Sequence, residues 1–328
     1  MFNTPSTPDR TPDADPRGPR DDHRYLNGEG HPATPLQKPV ILLALTFGAV
    51  CLFAILAGIL SYGIMQASGF DGSWYLSDLL DNGRKNGLRI ASFVAAVVQF
   101  AVPAALVLIL AFRGRWWQAA GLSTWPSVRT FFLPAAVAVA ALPAVAWLVW
   151  ANLQLPLPAW ATNNEAQVDA LMFAMLVTDD YAALALNVLT IGVVAAVGEE
   201  LLMRGLIQRR ILRPWTGNPH AAIWLAAFLF SFMHFEFAGF FPRFVLGALL
   251  GYAYLWSNSL WVPILLHFLF NATQVVQVFI TGELVTTPTR ADTPHELFAL
   301  GSLLLAFFLG RWVHRRLAPP TNQPTVSL

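Results

Sequence analysis

The chain has 328 residues, of which 56% are hydrophobic and only 12% are charged, and its formal net charge is +1. This composition excludes an ordinary soluble domain, in which about 25% of residues are charged, and nothing in it indicates a nucleic-acid-binding surface. The one cysteine, Cys51, lies inside the first apolar segment. Neither an intramolecular disulfide nor a multi-cysteine metal cluster is therefore expected.

Residues 1–38 differ sharply from the rest of the chain. They are rich in Pro, Asp, Arg, Gly and Thr, and a segment of this composition cannot bury an apolar core, so we expect a disordered tail. The first apolar run begins near Val40 and is long enough to span a membrane, which is not the pattern of a cleavable signal peptide. A second disordered tail is expected at residues 317–328.

Between the tails, residues 39–316 are predicted to form a transmembrane domain. The apolar runs indicate an all-α, polytopic membrane protein of about eight transmembrane helices around an internal polar cavity, each helix near the roughly 20 residues that cross a bilayer. The predicted spans are 40–66, 88–112, 131–150, 181–198, 221–237, 241–256, 260–280 and 297–313. The fourth helix is expected to continue beyond its span until Pro214 stops it.

The distribution of Lys and Arg predicts the orientation in the membrane. Arginines follow spans two, four and eight: Arg113, Arg115, Arg129, Arg209, Arg210, Arg213, Arg311, Arg315 and Arg316. They share one side if the spans alternate, and by the positive-inside rule that side is cytoplasmic. The connection 151–180 contains no Lys or Arg, whereas Arg84 and Lys85 do not fit the pattern. We therefore expect a multi-pass protein with both termini cytoplasmic, in the plasma membrane or, in a bacterium, the inner membrane.

Several polar side chains lie inside these apolar segments, where an ionisable group costs on the order of 2.5 kcal/mol or more. They are Glu199, Glu200, His234, His267 and Asn271. Glu200 and Arg204 are four residues apart on a helix, so they share a face and can pair. Glu199 points about 100° away from Glu200, which leaves it free to face a cavity. This set predicts a buried polar site.

The polar residues occur in three motifs, in chain order. These are Glu199-Glu200-x-x-x-Arg204, Phe230-x-x-x-His234 and His267-x-x-x-Asn271. Together they resemble the motifs of the CPBP family of CAAX-processing and bacteriocin-processing (Abi-like) intramembrane proteases. The part of the chain that resembles the protease core of this family covers residues 181–280. The resemblance implies an endopeptidase that hydrolyses a peptide bond of a membrane-associated or lipidated protein substrate.

The resemblance also implies roles for the motif residues. Glu199 and His234 would hold and activate a water molecule, while His267 and Asn271 would donate hydrogen bonds to the oxyanion. Glu200, Arg204 and Phe230 would support the site. Glu199, His234 and His267 could instead supply three ligands to zinc. Because no HExxH motif is present, we favour a glutamate-activated water without a tightly bound metal.

Two other function classes are compatible with the sequence. A transporter could use the same buried groups as a proton relay, although the halves of the chain show no internal repeat. A non-catalytic membrane scaffold or immunity factor of the same family is the stronger alternative. The expected partners are membrane lipid and a protein or peptide substrate, with no nucleic acid.

Overall fold

The computed structural model describes residues 34–70, 82–283 and 289–317, except for the side chains of Asn82, Asn163 and Asn164. The described residues form helices and turns without strands, which confirms the predicted all-α fold. Most of the two predicted tails, residues 1–33 and 318–328, lies outside the described residues. At the start of the described part, Pro35–Gln37 forms one 3-10 turn before the first helix.

The architecture of the described residues is built from nine main helices. They are α1 Pro39–Ala67, α2 Gly83–Ala120, α3 Val128–Leu153, α4 Ala159–Leu176, α5 Tyr181–Thr216, α6 Pro219–Phe232, α7 Phe240–Ser257, α8 Trp261–Thr281 and α9 Glu296–Leu317. In this part of the chain, all except α4 and α6 are long and apolar enough to cross a membrane. The protein is therefore a multi-pass membrane protein.

The fifth predicted span, 221–237, is too long. Helix α6 ends at Phe232 after 14 residues, about 21 Å of helix, whereas the hydrocarbon core is about 30 Å thick. Phe235 adopts a left-handed backbone conformation with φ 54°, and the chain folds back so that the Ser231 hydroxyl donates to the Phe240 carbonyl at 2.6 Å. His234 therefore lies in the turn that follows α6 and not on the helix.

Helix α5 is longer than its predicted span, and its predicted continuation is confirmed, but the predicted stop at Pro214 is wrong. It runs for 36 residues, passes Pro214, and ends where Gly217 takes a left-handed φ of 64°. Asn218 then begins α6, because its side chain accepts hydrogen bonds from the backbone N–H groups of His220 and Ala221. The extra length places Glu199 near the middle of α5.

The connection 151–180 is mostly helical, which the sequence analysis did not predict. It contains α4, whose sequence AWATNNEAQVDALMFAML mixes apolar residues with five polar ones at 163–165, 167 and 169. These polar residues interrupt the apolar run, so the segment does not have the pattern of a span. Helix α4 places Glu165 beside the turn that follows α6, where its Oε1 accepts a hydrogen bond from the Ala238 N–H at 2.7 Å.

The arginine-rich helix ends lie at the same end of the helix bundle. Contacts between helix ends establish this: Gln37 with Ala111, Arg210 with Ala119, Leu260 with Gly121, and His220 with His314. The turn that carries His234 lies toward the opposite end, because α6 starts at the arginine-rich end and runs away from it. The assignment of the arginine-rich end to the cytoplasm stays a prediction.

Candidate active site

The adjacent carboxylates Glu199 and Glu200 project from α5 in different directions, as helix geometry predicts. Helix α5 packs against α2, α6 and α8, so both carboxylates are enclosed by other helices. Glu199 lines a cavity of about 250 Å³, whereas the Glu200 side chain is 0% exposed. The two glutamates therefore occupy separate environments.

The cavity beside Glu199 is formed by α2, α5 and the end of α6. Its polar lining residues are Gln99, Glu199 and His234, and its apolar lining residues are Phe100, Leu202, Met203, Phe230 and Met233. The sequence predicted that Glu199 and His234 meet despite their positions in different helical segments. The structure brings them together because α5 is long, α6 is short, and the chain turns immediately after α6.

His234 is oriented by a hydrogen bond to the backbone. Its Nδ1 lies 2.7 Å from the Phe230 carbonyl oxygen, and a carbonyl oxygen can only accept, so Nδ1 carries the hydrogen. In the neutral ring, Nε2 then holds a lone pair that can accept a hydrogen bond. The Phe230 ring packs edge-on against the His234 ring with centroids 4.9 Å apart, which restricts the imidazole further.

Glu200 is held in a buried network on the other face of α5. Its Oε1 accepts hydrogen bonds from Arg204 Nη1 and from His267 Nδ1, each at 2.8 Å. The predicted pairing of Glu200 with Arg204 is thus confirmed. Arg204 also donates from Nη2 to the Gly247 carbonyl at 2.9 Å and lies 4.9 Å from the centroid of the Phe230 ring.

Gly247 permits this network because it has no side chain. A Cβ at Gly247 would lie 3.1 Å from the Phe230 ring and 3.4 Å from the backbone of Ala227. Helices α6 and α7 can therefore approach closely enough for the carbonyl of Gly247 to reach Arg204. Phe230 is consequently fixed between the buried network and the cavity, as a supporting residue would be.

His267 lies between the two carboxylates. Since Nδ1 bonds to Glu200, its Nε2 faces Glu199, with Nε2 and the Glu199 Oε2 3.9 Å apart. His267 does not line the cavity described above. It links the buried network to Glu199.

Asn271 lies one helical turn beyond His267 and makes a different contact. Its Nδ2 donates to the Ile191 carbonyl of α5 at 2.9 Å, within a π-helical segment, Val188–Val194. Asn271 is not among the residues that line the cavity. In this arrangement the Asn271 amide is engaged with the backbone of α5.

Residues 181–273, which include all three motifs, match the family model described as type II CAAX prenyl endopeptidase Rce1-like. The chain carries an Rce1-like domain. The resemblance to the CPBP proteases is thereby confirmed for this segment, which is similar to a CAAX prenyl endopeptidase domain. The uncharacterized protein YpbD of Bacillus subtilis is 27% identical over 96 residues. That match covers 28% of this chain and 46% of YpbD, so the chain matches about half of this relative's length. No solved structure matches the chain.

A zinc site requires three or four ligand side chains close together. In the described part of the chain, no group of three or more His, Cys, Asp or Glu side chains is close enough to hold a metal ion. Glu199 and His234 share the cavity, but His267 does not line it. The arrangement therefore does not fit the predicted three-ligand set, and the zinc alternative stays a prediction.

A turn next to the Rce1-like site was not recognised from the sequence. The 3-10 turn Phe237–Gly239 follows His234 closely and is held by buried Asn152 of α3. The Asn152 Nδ2 donates to the Phe237 carbonyl at 2.8 Å, and its Oδ1 accepts from the Phe241 N–H at 2.9 Å. Because these partners are more than 80 residues away in the sequence, no local pattern indicates the contact.

An ion pair flanks the same turn. Arg243 Nη2 lies 2.7 Å from the Glu236 carboxylate, and its charge also interacts with Glu199. Burial raises the pKa of Glu236, and the Arg243 guanidinium opposes that rise. The pair therefore places one cation and a second carboxylate near the cavity.

Proposed function

We propose that this protein is an intramembrane endopeptidase that hydrolyses a peptide bond in a membrane-associated or lipidated protein. The observation that supports it most strongly is the convergence of Glu199 and His234 on one small cavity. Glu199 lies on α5 and His234 lies in the turn after α6, and both line the same interior space. A general base and a hydrogen-bonding imidazole around one water molecule are the groups that peptide hydrolysis requires.

In the proposed reaction, Glu199 accepts a proton from a water molecule, while the lone pair on His234 Nε2 accepts a hydrogen bond from the O–H that the water keeps. The water oxygen attacks the peptide carbonyl carbon, and the carbonyl π electrons move to oxygen and form an oxyanion. When the oxyanion collapses, the carbonyl re-forms and the C–N bond breaks. The leaving nitrogen takes the proton that Glu199 accepted, so the base is regenerated and the products are a carboxylic acid and an amine.

The buried network supports this chemistry from the opposite face of α5. Glu200 fixes the tautomer of His267 by accepting its Nδ1–H, and the free Nε2 of His267 faces Glu199. An imidazole in that position can donate to Glu199 only when it is protonated, so it can favour the charged form of the base. We assign Glu200 and Arg204 to the positioning of His267 and not to the reaction itself.

The substrate class follows from the surroundings of the site. The cavity is enclosed by membrane helices, and Trp224, Phe228 and Phe232 on α6 are each more than 40% exposed on the outer surface. Such a surface lies in lipid, so substrates must reach the site from within the membrane or by insertion of a lipid anchor. Membrane lipid and a lipidated or transmembrane protein are therefore the proposed partners.

The test is cleavage of lipidated and transmembrane peptides by purified protein in detergent. We expect Glu199→Gln and His234→Ala each to lower kcat/KM by about 10²–10⁴-fold, the usual contribution of general acid–base catalysis. The matched control is Glu283→Gln, the same change at an exposed residue beyond α8, which should retain wild-type activity. Loss of cleavage in all three variants would mean that the assay reports protein integrity and not the site.

Chelation separates the two kinds of water activation. Full activity after treatment with a zinc chelator supports the glutamate-activated water. Loss on chelation with recovery on added zinc would instead support Glu199, His234 and His267 as metal ligands. No cleavage by the wild type, together with full cellular function of Glu199→Gln, would leave a scaffold role.

A further inference from the structure

Gln99 of α2 is a third polar residue in the cavity, and no motif includes it. It lies 82 positions before the start of the segment that matches the Rce1-like family model, residues 181–273. It nevertheless lines the same cavity as Glu199 and His234. The cavity is therefore completed by a helix outside the matched domain.

The carboxamide of Gln99 is not used by the fold. Among the residues that the structure describes, none forms a hydrogen bond with the Gln99 side chain, whereas Gln37 and Gln208 both donate to backbone carbonyls. The Gln99 side chain is half-buried and lines the cavity, so its amide is accessible from that space. A ligand or substrate in the cavity can therefore supply its hydrogen-bond partner.

Two backbone features place Gln99 beside Glu199. Gln99 lies in the π-helical turn Val97–Ala101 of α2, and such turns insert an extra residue that redirects the side chains around it. This turn contacts α5 at Gly198, where an added Cβ would lie 3.1 Å from both the Ala101 nitrogen and the Phe100 Cβ. The glycine immediately before Glu199 thus allows the π turn to approach the base.

Both residues that the motifs suggested as oxyanion donors have one nitrogen engaged within the fold. Asn271 Nδ2 donates to the Ile191 carbonyl, and His267 Nδ1 donates to Glu200. The His267 Nε2 faces Glu199, but neither residue lines the cavity, so a donor in the cavity wall would add to them. Gln99 is the side-chain amide that the cavity provides.

We propose that Gln99 is a catalytic residue that donates a hydrogen bond from Nε2 to the oxyanion of the tetrahedral intermediate. The proposal rests on the proposed peptidase function. As water oxygen bonds to the carbonyl carbon and the C=O π electrons move to oxygen, the Gln99 N–H stabilises the negative charge. When the C=O re-forms and the C–N bond breaks, the hydrogen bond weakens again and Gln99 undergoes no net change.

The experiment compares Gln99→Ala and Gln99→Glu with the wild type on the peptide that the wild type cleaves. Gln99→Glu keeps the shape of the side chain but replaces the amide donor with a carboxylate. We expect both variants to lower kcat by about 10²–10³-fold, the usual cost of removing one oxyanion donor, with KM changed by less than about threefold because the contact forms in the transition state. The control is Gln118→Ala, an exposed glutamine of the same helix, which should keep wild-type kcat and KM.

Inhibitor binding provides a readout that a purely structural role would not change. A peptide phosphinate mimics the tetrahedral anion, so its inhibition constant should rise by the same factor as kcat/KM falls in the Gln99 variants. Wild-type kcat in both variants, or a loss confined to KM, would overturn the role of Gln99 while leaving Glu199 as the base. Inactive wild type would instead overturn the peptidase function, and the role of Gln99 with it.

Discussion

The two faces of α5 at Glu199 and Glu200 each carry a carboxylate, but one carboxylate lines a cavity and the other is fully buried. On one face, Glu199 lines a cavity and its Oε2 lies 3.9 Å from the Nε2 of His267. On the other, Glu200 is completely enclosed and accepts two hydrogen bonds at 2.8 Å. Adjacent residues of one helix can therefore separate a reactive carboxylate from a structural one, because a rotation of about 100° places them against different neighbours.

The buried face also determines what the cavity face can do. Arg204 compensates the charge of Glu200, and its second nitrogen is satisfied by Gly247. This arrangement leaves Glu200 able to hold His267 Nδ1–H, so that Nε2 of the same ring faces Glu199. The order of the contacts, from Arg204 through Glu200 and His267 to Glu199, makes the network a support for the base.

Arg204→Ala should have the largest effect on stability. Removing one partner of a buried pair leaves the other charge uncompensated, so we expect the free energy of unfolding to fall by about 3–5 kcal/mol. Glu199→Gln should change it by less than about 1 kcal/mol, because Glu199 makes no hydrogen bond with the residues that the structure describes and its contact with His267 is 3.9 Å long. Reversible unfolding in detergent measures both values.

An exposed ion pair provides the control for Arg204→Ala. Arg290 pairs with Glu296 at side-chain exposures of 41% and 51%, so Arg290→Ala should cost no more than about 1 kcal/mol. Equal destabilisation by Glu199→Gln and Arg204→Ala would contradict the separation of the two faces. It would mean that Glu199 belongs to the buried network.

Gly198→Ala should have an intermediate effect that appears in both stability and activity. The added Cβ lies 3.1 Å from the Ala101 nitrogen and from the Phe100 Cβ, so α2 and α5 must separate slightly, and overpacking of this kind costs about 1–3 kcal/mol. Activity should fall as well, because the same contact places Gln99 beside Glu199. The measurements are unfolding in detergent and kcat on the peptide substrate.

Gly301→Ala is the matched control, since a Cβ at Gly301 of α9 would meet no atom within 4 Å. It should leave activity unchanged and stabilise the helix by up to about 1 kcal/mol, the difference in helix propensity between the two residues. If Gly198→Ala behaves in the same way as Gly301→Ala, the π turn of α2 does not depend on close contact with α5.

Features set by local sequence could be predicted, and those set by distant contacts could not. The pairing of Glu200 with Arg204 follows from a four-residue spacing on one helix, and the apolar runs identify most of the spans. The predicted extent of α6 was wrong because apolar residues, among them Met233 and Phe235, continue past Phe232. The helix ends there through the left-handed conformation of Phe235, which a bulky residue rarely adopts and which no composition signal indicates.

The cavity depends on distant contacts that the sequence does not reveal. Gln99 is one glutamine in an apolar helix, and its role depends on a π turn and on the contact of that turn with Gly198, about 100 residues away. The polar character of Gln99 within span two was the available signal, since a polar side chain at membrane depth has a functional or packing reason. Its partner residues could be identified only from the packing of α2 against α5.

Asn271→Ala should have the smallest effect, and it tests whether the motif or the geometry describes the oxyanion site. In the structure the Asn271 amide bonds to the Ile191 carbonyl, so its loss should cost about 0.5–1.5 kcal/mol of stability and less than about tenfold in kcat. Asn187→Ala is the control, because Asn187 makes the same kind of bond to the Met175 carbonyl at 2.9 Å. A fall in kcat of about 10²–10³-fold with unchanged stability would show that Asn271 donates to the oxyanion, as the motif implies. The amide would then have to leave Ile191 when substrate binds, and α8 would have to shift toward the cavity during the reaction.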